Sequence, residues 1–230
     1  ERYFLLEVSA DLRQRQQQLL AQFSPRVEWL DALPASFSGL IIGNEVLDAM
    51  PVHLVAWRED SLFERGVSMK DGQFSWSERK LTSGELFDTA ASLALPRDAG
   101  EGKNYVSEIG LAARGFVATL AGLLEKGAIL MLDYGFGQNE YYHPQRSSGT
   151  LMCHYRHYAH DDPFYLPGLQ DITSHVDFTA IAEAGISHGL NHLGYTSQAH
   201  FLINCGITDL LARASPEQAS AYLPLASQVQ

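Results

Sequence analysis

The sequence predicts an α/β fold: a mostly parallel sheet with helices on both faces, carrying an antiparallel β-insertion. Three observations point to it. Short, continuously apolar segments such as Tyr3-Phe4-Leu5-Leu6 and Gly39-Leu40-Ile41-Ile42 alternate with helical ones over the first 50 residues. Strands buried on both faces of a parallel sheet read this way. Between Val52 and Ser77 the pattern changes to strands joined by polar turns, the clearest being Lys70-Asp71-Gly72. A further apolar run, Ala128 to Leu132, follows a long amphipathic stretch and restores the strand–helix rhythm.

Taken in order, Tyr3 to Glu7 is a strand ending in an acid. Ser9 to Phe23 is a helix, with Ser9 as N-cap and Leu12, Leu19, Leu20 and Phe23 on its apolar face. Val27 to Leu30 and Gly39 to Ile42 are strands, the second running into Gly43-Asn44-Glu45 and a helical stretch to Met50. The insertion, residues 52–77, holds strands over Val52 to Trp57, Leu62 to Met69 and Gln73 to Ser77. Leu86 to Gly102, with Pro96 and Gly100, reads as loop. Ile109 to Lys126 is a helix with Gly127 at its C′ position. Ala128 to Leu132 is a strand followed by Asp133-Tyr134-Gly135. Phe136 to Val176 reads as one long polar loop, the kind that in a compact domain carries function. Phe178 to Ser187 is a helix, Ser197 to Cys205 a late strand and Thr208 to Ala214 a helix, with no evident element after Pro224.

Composition narrows the function classes. The 230 residues are 46% hydrophobic, which fits a folded globular chain. The formal charge of −11 argues against a phosphate-neutralising surface, so nucleic acid is not an expected partner. Two cysteines, Cys153 and Cys205, cannot build a disulfide framework and point to a reducing compartment. No apolar run is long enough to cross a bilayer.

Acids recur where the apolar runs stop. In open parallel sheets ligands bind beyond the carboxyl ends of strands. Glu7 ends the first strand, where a carboxylate accepts both hydrogen bonds of a ribose diol. The competing reading is an acid that caps the next helix. Asn44, Glu45 and Asp48 follow the third strand, either facing the crevice or capping a helical turn. Asp133 follows the strand at Ala128 to Leu132, as ligand or as turn residue. Asp171, His175 and Asp177 lie in Gly168 to Phe178, close to substrate or satisfying loop backbone. Eight of the nine histidines fall between His143 and His200. His154, His157 and His160, with Asp161 and Asp162, make a metal site conceivable, but no metal is expected and the bland reading is a solvated loop. There is no HExxH, G-x-S-x-G or P-loop, and Gly135-Phe136-Gly137 is too short for a dinucleotide fingerprint.

The segments YFLLEVSADLRQRQQQLL, GNEVLDAMPVH, GAILMLDYGFG, HYAHDDPFYLPGLQDITSHVDF and TSQAHFLINCGI occur here in that order. In this the chain resembles the MidA-like methyltransferases, relatives of the mitochondrial complex I assembly arginine methyltransferase. The resemblance implies a class I, Rossmann-like methyltransferase fold and S-adenosyl-L-methionine as cofactor. It implies an arginine of a protein as substrate, a complex I subunit in eukaryotic relatives. On that reading Glu7, Asp31, Asn44 and Asp133 are expected at the cofactor, and Glu45, Asp48, Asp171 and His175 in catalysis. The family's glycine-rich loop lies ahead of Tyr3, so residues 1–230 are expected to be an incomplete methyltransferase domain, with 136–177 on its substrate side. The compartment implied is the cytoplasm of a bacterium or the matrix of a mitochondrion, with the bacterial setting favoured; a homodimer is possible. A non-catalytic assembly or binding factor on the same fold, and a metal-dependent hydrolase built on the histidine loop, are the competing functions.

Overall fold

The computed structural model describes residues 2–59, 61–93, 95, 105–156, 158–213 and 219–229. The elements run β1 (Tyr3–Leu6), α1 (Ala10–Leu20), a 3₁₀ turn (Ala21–Phe23), β2 (Val27–Leu30) and β3 (Phe37–Asn44). Then come β4 (His53–Arg58), β5 (Ser61–Lys70), β6 (Gln73–Leu81), α2 (Glu85–Ser92), β7 (Tyr105–Ile109), α3 (Leu111–Leu123) and β8 (Leu124–Leu132). The remainder is β9 (Gly135–Phe136), α4 (Gln138–Tyr141), β10 (Met152–Tyr155), β11 (Tyr158–His160), β12 (Asp171–Thr173), β13 (Val176–Asp177), and helices α5 (Phe178–Ser187), α6 (Gln198–Asn204), α7 (Ile207–Ala212) and α8 (Ala219–Val229).

The chain is α/β, but its parallel strands do not join in one hydrogen-bonded sheet. β1 pairs with β2, β3 with β8 and β9 with β13, each in parallel. Among the described residues no strand pairs with the second edge of β1 or of β3. The first two pairs meet where Phe4 and Phe37 stack edge to face, 6.3 Å between centroids. Apolar sequence marks a strand without saying what covers it, and Leu40 and Ile42 are 56% and 54% exposed. The same holds for α1. Ser9 caps it, accepting from the Leu12 N–H, yet Leu12, Leu19 and Phe23 are exposed.

The insertion is antiparallel as expected, and larger. β6, β5, β4 and β7 form one sheet in that order. β7 had been hidden in the sequence, and α2 lies where a loop was expected. Both exist because they bury a side: all of β7 is buried, and Leu86 and Ala90 of α2 join Val55, Leu81 and Ile109 in a core under the sheet. The expected loop's Pro96, Gly100 and Gly102 lie outside the described residues.

Other expectations need correction. The helix α3 stops at Leu123, and Gly127 belongs to β8 rather than to a helix cap. A Cβ on Gly127 would overlap the Gly39 carbonyl, so glycine is required there by the close approach of β3. Ser197 to Cys205 is helical: Ser197 accepts from the His200 N–H and so caps α6, and that local bond outweighs the strand-like Phe201-Leu202-Ile203. The loop from Phe136 to Val176 contains α4 and the β9 to β12 strands, with β11, β10 and β12 in one antiparallel sheet. The C-terminal segment forms α8 around Pro224.

One buried acid ties these parts together. Glu108, in β7, is 1% exposed. Its carboxylate accepts from the N–H groups of Thr150 (2.9 Å) and Leu151 (3.0 Å), and from the hydroxyls of Thr150 (3.1 Å) and Tyr141 (3.2 Å). Gly149 passes so close that a Cβ would overlap the Glu108 Oε1 atom. Glu108→Ala leaves several buried donors unsatisfied and is expected to cost about 3 kcal/mol in urea denaturation. A loss below about 1 kcal/mol would mean that water replaces the carboxylate without penalty.

Candidate active site

The site grows from the end of the β3–β8 pair. Asn44 closes β3, and Glu45 turns out of it with φ of 51°, a conformation uncommon for a residue with a Cβ. The Glu45 N–H donates to the Leu132 carbonyl at 2.9 Å, which brings the ends of the two strands together. Asp133 follows directly. Its Oδ2 accepts from the N–H groups of Leu47 (2.9 Å) and Asp48 (3.3 Å), and its Oδ1 from the Tyr134 N–H (2.9 Å). Asp133 thereby holds the loop that carries Asp48.

Asp48 is different. It is 7% exposed, and its Oδ1 has no hydrogen-bond partner among the described residues. Burial pushes its carboxyl above the ordinary aspartate range; the charges of Asp133, Glu45 and Asp171 push the same way, against the Ala49 N–H. Asp171 opens β12, and Ser174 just beyond that strand donates its N–H to the Asp48 carbonyl at 3.0 Å. The fold therefore gathers Glu45, Asp48, Asp133 and Asp171 in one acidic group. Tyr134 stands exposed beside it, its phenol raised above its usual value chiefly by the Glu45 charge.

His175 makes a different set of contacts. Its ring stacks on Phe136, 5.3 Å between centroids and 12° between planes, with the Arg146 guanidinium 4.3 Å from the same Phe136 ring. The His175 N–H donates to the Thr150 Oγ1 at 3.0 Å. His175 also lines a small cavity with Glu108, Arg114 and Asp177. Asp177 caps α5, accepting from the Thr179 and Ala180 N–H groups.

Glu7 and Asp31 lie at the ends of the other parallel pair. Glu7 accepts from the Ser9 N–H and the Gln16 side chain, each at 2.9 Å. Each carboxylate oxygen can accept more than one bond. The helix-end reading and the ribose reading are thus compatible, and a strand-end carboxylate held in place suits a nucleoside diol. Asp31 is highly exposed and pairs with Arg13 at 2.7 Å. The histidine loop gathers no metal cluster: among the described residues no three His, Cys, Asp or Glu side chains could hold an ion. His154 lies opposite Asp171 in the β10–β12 ladder, and His157 lies outside the described residues.

Sequence reasoning overlooked Tyr134, Thr150, Ser174 and Glu108. Glu108 carried a usable signal, an acid inside the otherwise apolar segment Tyr105-Val106-Ser107-Glu108-Ile109, because a buried charge must be satisfied. Thr150 and Ser174 carried none, since their part is set by the backbone they meet.

A family described as "putative S-adenosyl-L-methionine-dependent methyltransferase" matches residues 1–196. The chain belongs to this family. A structure described as a "COG1565 superfamily member and likely methyl transferase" from Burkholderia thailandensis, bound to S-adenosyl-homocysteine, is 51% identical with a TM-score of 0.91, covering 100% of this chain and 59% of that one. A native structure of a protein of the same superfamily from that organism is also 51% identical, with a TM-score of 0.91, covering 100% of this chain and 61% of that one. The Caenorhabditis elegans protein named "Protein arginine methyltransferase NDUFAF7 homolog, mitochondrial" is 28% identical over 194 residues, 80% of this chain and 41% of that protein. The chain thus spans about three fifths of the two solved structures and two fifths of the nematode protein. S-adenosyl-L-methionine is the cofactor that gives the family its description, in agreement with the motif resemblance. Among the described residues no helix is long and apolar enough to cross a membrane.

The raised Asp48 makes stability depend on pH with a definite sign. The folded state holds this proton more tightly than the unfolded state, whose value lies near 3.8. The stability it contributes is full below that value and is lost as pH rises through the higher folded value. Asp48→Asn carries no charge to lose. It is expected to be more stable than wild type in urea near pH 8, with the gap closing near pH 3.5. A gap independent of pH would show that the charge is not its cause.

Proposed function

We propose that this chain is part of an S-adenosyl-L-methionine-dependent methyltransferase that acts on an arginine of a protein. The observation that carries the reading is the Asp48 Oδ1 atom, buried in an acidic group and without a partner among the described residues. Such an oxygen is costly until a donor reaches it. A guanidinium brings a permanent positive charge and N–H donors in a planar fork, which fits paired carboxylates better than an ammonium does. The name of the nematode relative supports the same substrate class.

When bound, S-adenosyl-L-methionine supplies an electrophilic methyl group on a sulfonium. Glu7 would hold its ribose hydroxyls, with Asp31 toward the adenine and Asn44 and Asp133 near the strand ends. Arginine is a poor nucleophile because its guanidinium stays protonated and delocalised. Glu45 and Asp48 orient it by charge-assisted hydrogen bonds, so that one nitrogen faces the methyl group. That nitrogen gains a bond to carbon as the carbon–sulfur bond breaks, and its N–H proton passes to a carboxylate. Asp48 suits that step, since burial raises its affinity for a proton. Asp171 adds negative charge beside it. His175 is held by its stacking on Phe136.

In the full-length protein, Glu45→Gln is expected to lower methyl transfer to an arginine peptide by about a hundredfold or more. Cofactor binding measured by calorimetry should change by less than about twofold. Unaltered turnover would sink the role of Glu45. Tight cofactor binding by wild type, with no transfer to any arginine peptide or protein, would favour a non-catalytic assembly factor instead.

A further inference from the structure

We propose that the open edge of β12 receives the substrate chain as an added β-strand, laying an arginine of that strand against Asp48. The proposal deepens the arginine reading above and rests on it for the identity of the side chain.

The argument starts from the order β11, β10, β12. β12 is the last strand of its sheet, and among the described residues nothing pairs with its outer side. That side has a known direction. Ser174, one residue past the strand, gives its N–H to the Asp48 carbonyl, so the outer edge runs toward the loop that carries Asp48. Backbone groups alternate sides along a strand, so the N–H and C=O of Ile172 face the same way as the Ser174 N–H. Ile172 is 42% exposed and Leu169 is 67% exposed, leaving the edge accessible. An exposed edge is a template for another chain unless something blunts it. Here the strand's own charge, Asp171, adds to the field on Asp48. It repels acidic chains and attracts basic ones.

Those facts select one occupant. An extended segment of another protein gains main-chain hydrogen bonds at Ile172, and a cationic side chain on it reaches the unpartnered Asp48 oxygen. A second copy of this chain fits less well, because its net charge of −11 opposes approach to an acidic edge. Backbone pairing supplies affinity without demanding a particular neighbour sequence, while the acids supply the choice of arginine.

The test changes the probe and leaves the protein intact. A short Thr- and Val-rich peptide with one central arginine is compared with the same peptide N-methylated at alternate backbone nitrogens, which cannot pair with an edge. Both are added to the full-length protein, and binding, methyl transfer and amide hydrogen exchange are followed. The plain peptide should slow exchange at the Ile172 amide, and N-methylation should weaken binding by about tenfold or more. Equal binding of the two peptides, no protection at Ile172, no binding of either, or occupation of the edge by a second protomer would each overturn the proposal. Protection without methyl transfer would keep the edge and remove the arginine methyltransferase reading. Transfer without protection would do the reverse.

Discussion

The site depends on the Asp133 carboxylate. A strand that ends in an acid leaves that acid a choice between solvent, ligand and backbone, and here backbone takes it. The N–H groups of Leu47, Asp48 and Tyr134 all point at Asp133. Those bonds convert the loop after β3 from a solvated turn into a fixed rim, and Leu47, 2% exposed, packs beneath it with Ala113, Val117 and Val176. Without the anchor, Asp48 would have no reason to stay buried, since an ionised carboxylate gains by returning to water.

The opposite rim is held from behind. Glu108 fixes Thr150, Thr150 accepts from the His175 N–H, and the neighbouring Ser174 bonds the Asp48 carbonyl. The chain of contacts runs from the antiparallel insertion, through β7, to the acidic group at the end of β3. It explains why an insertion on a parallel scaffold bears on the site at all: the insertion supplies the buried acid that organises residues 149–151. The Phe164 ring, set 4.9 Å from Trp76 of β6, joins the hairpin to the same loop region at its far end.

Much of this was legible in the sequence, and the reason is physical. An apolar run that stops abruptly at an acid marks a strand's end, so Glu7, Glu45 and Asp133 are placed at strand ends by the sequence alone. Which acid is free could not be read. Asp133 and Asp48 look alike as letters, and only the direction of the Leu47, Asp48 and Tyr134 N–H groups shows that one is bonded to backbone while the other keeps an oxygen without a partner among the described residues. β7 was hidden because Ser107 and Glu108 break its apolar run, although both are buried, Ser107 bonded to Glu108 and Glu108 to the 150 loop. Gly127 was misread because a glycine needed for close strand approach is indistinguishable in sequence from one that ends a helix. Sheet continuity was beyond reach for a different reason: hydrophobicity reports that Leu40 and Ile42 prefer cover, never which strand or helix provides it.

The acidic group also has an energetic shape. Burial first and neighbouring like charges second oppose ionisation here, and the raised Asp48 records that opposition. A bound cation removes it, so the ligand is attracted to the ionised form of Asp48 and lowers its affinity for protons. Binding of a basic side chain and release of a proton are thereby linked, and affinity must increase as pH rises through the Asp48 value. A neutral acceptor would gain nothing from the same four acids and would meet their desolvation cost unaided. The arrangement therefore discriminates by charge first and by shape second, the order that the proposed arginine acceptor, a flexible and permanently charged side chain, would require.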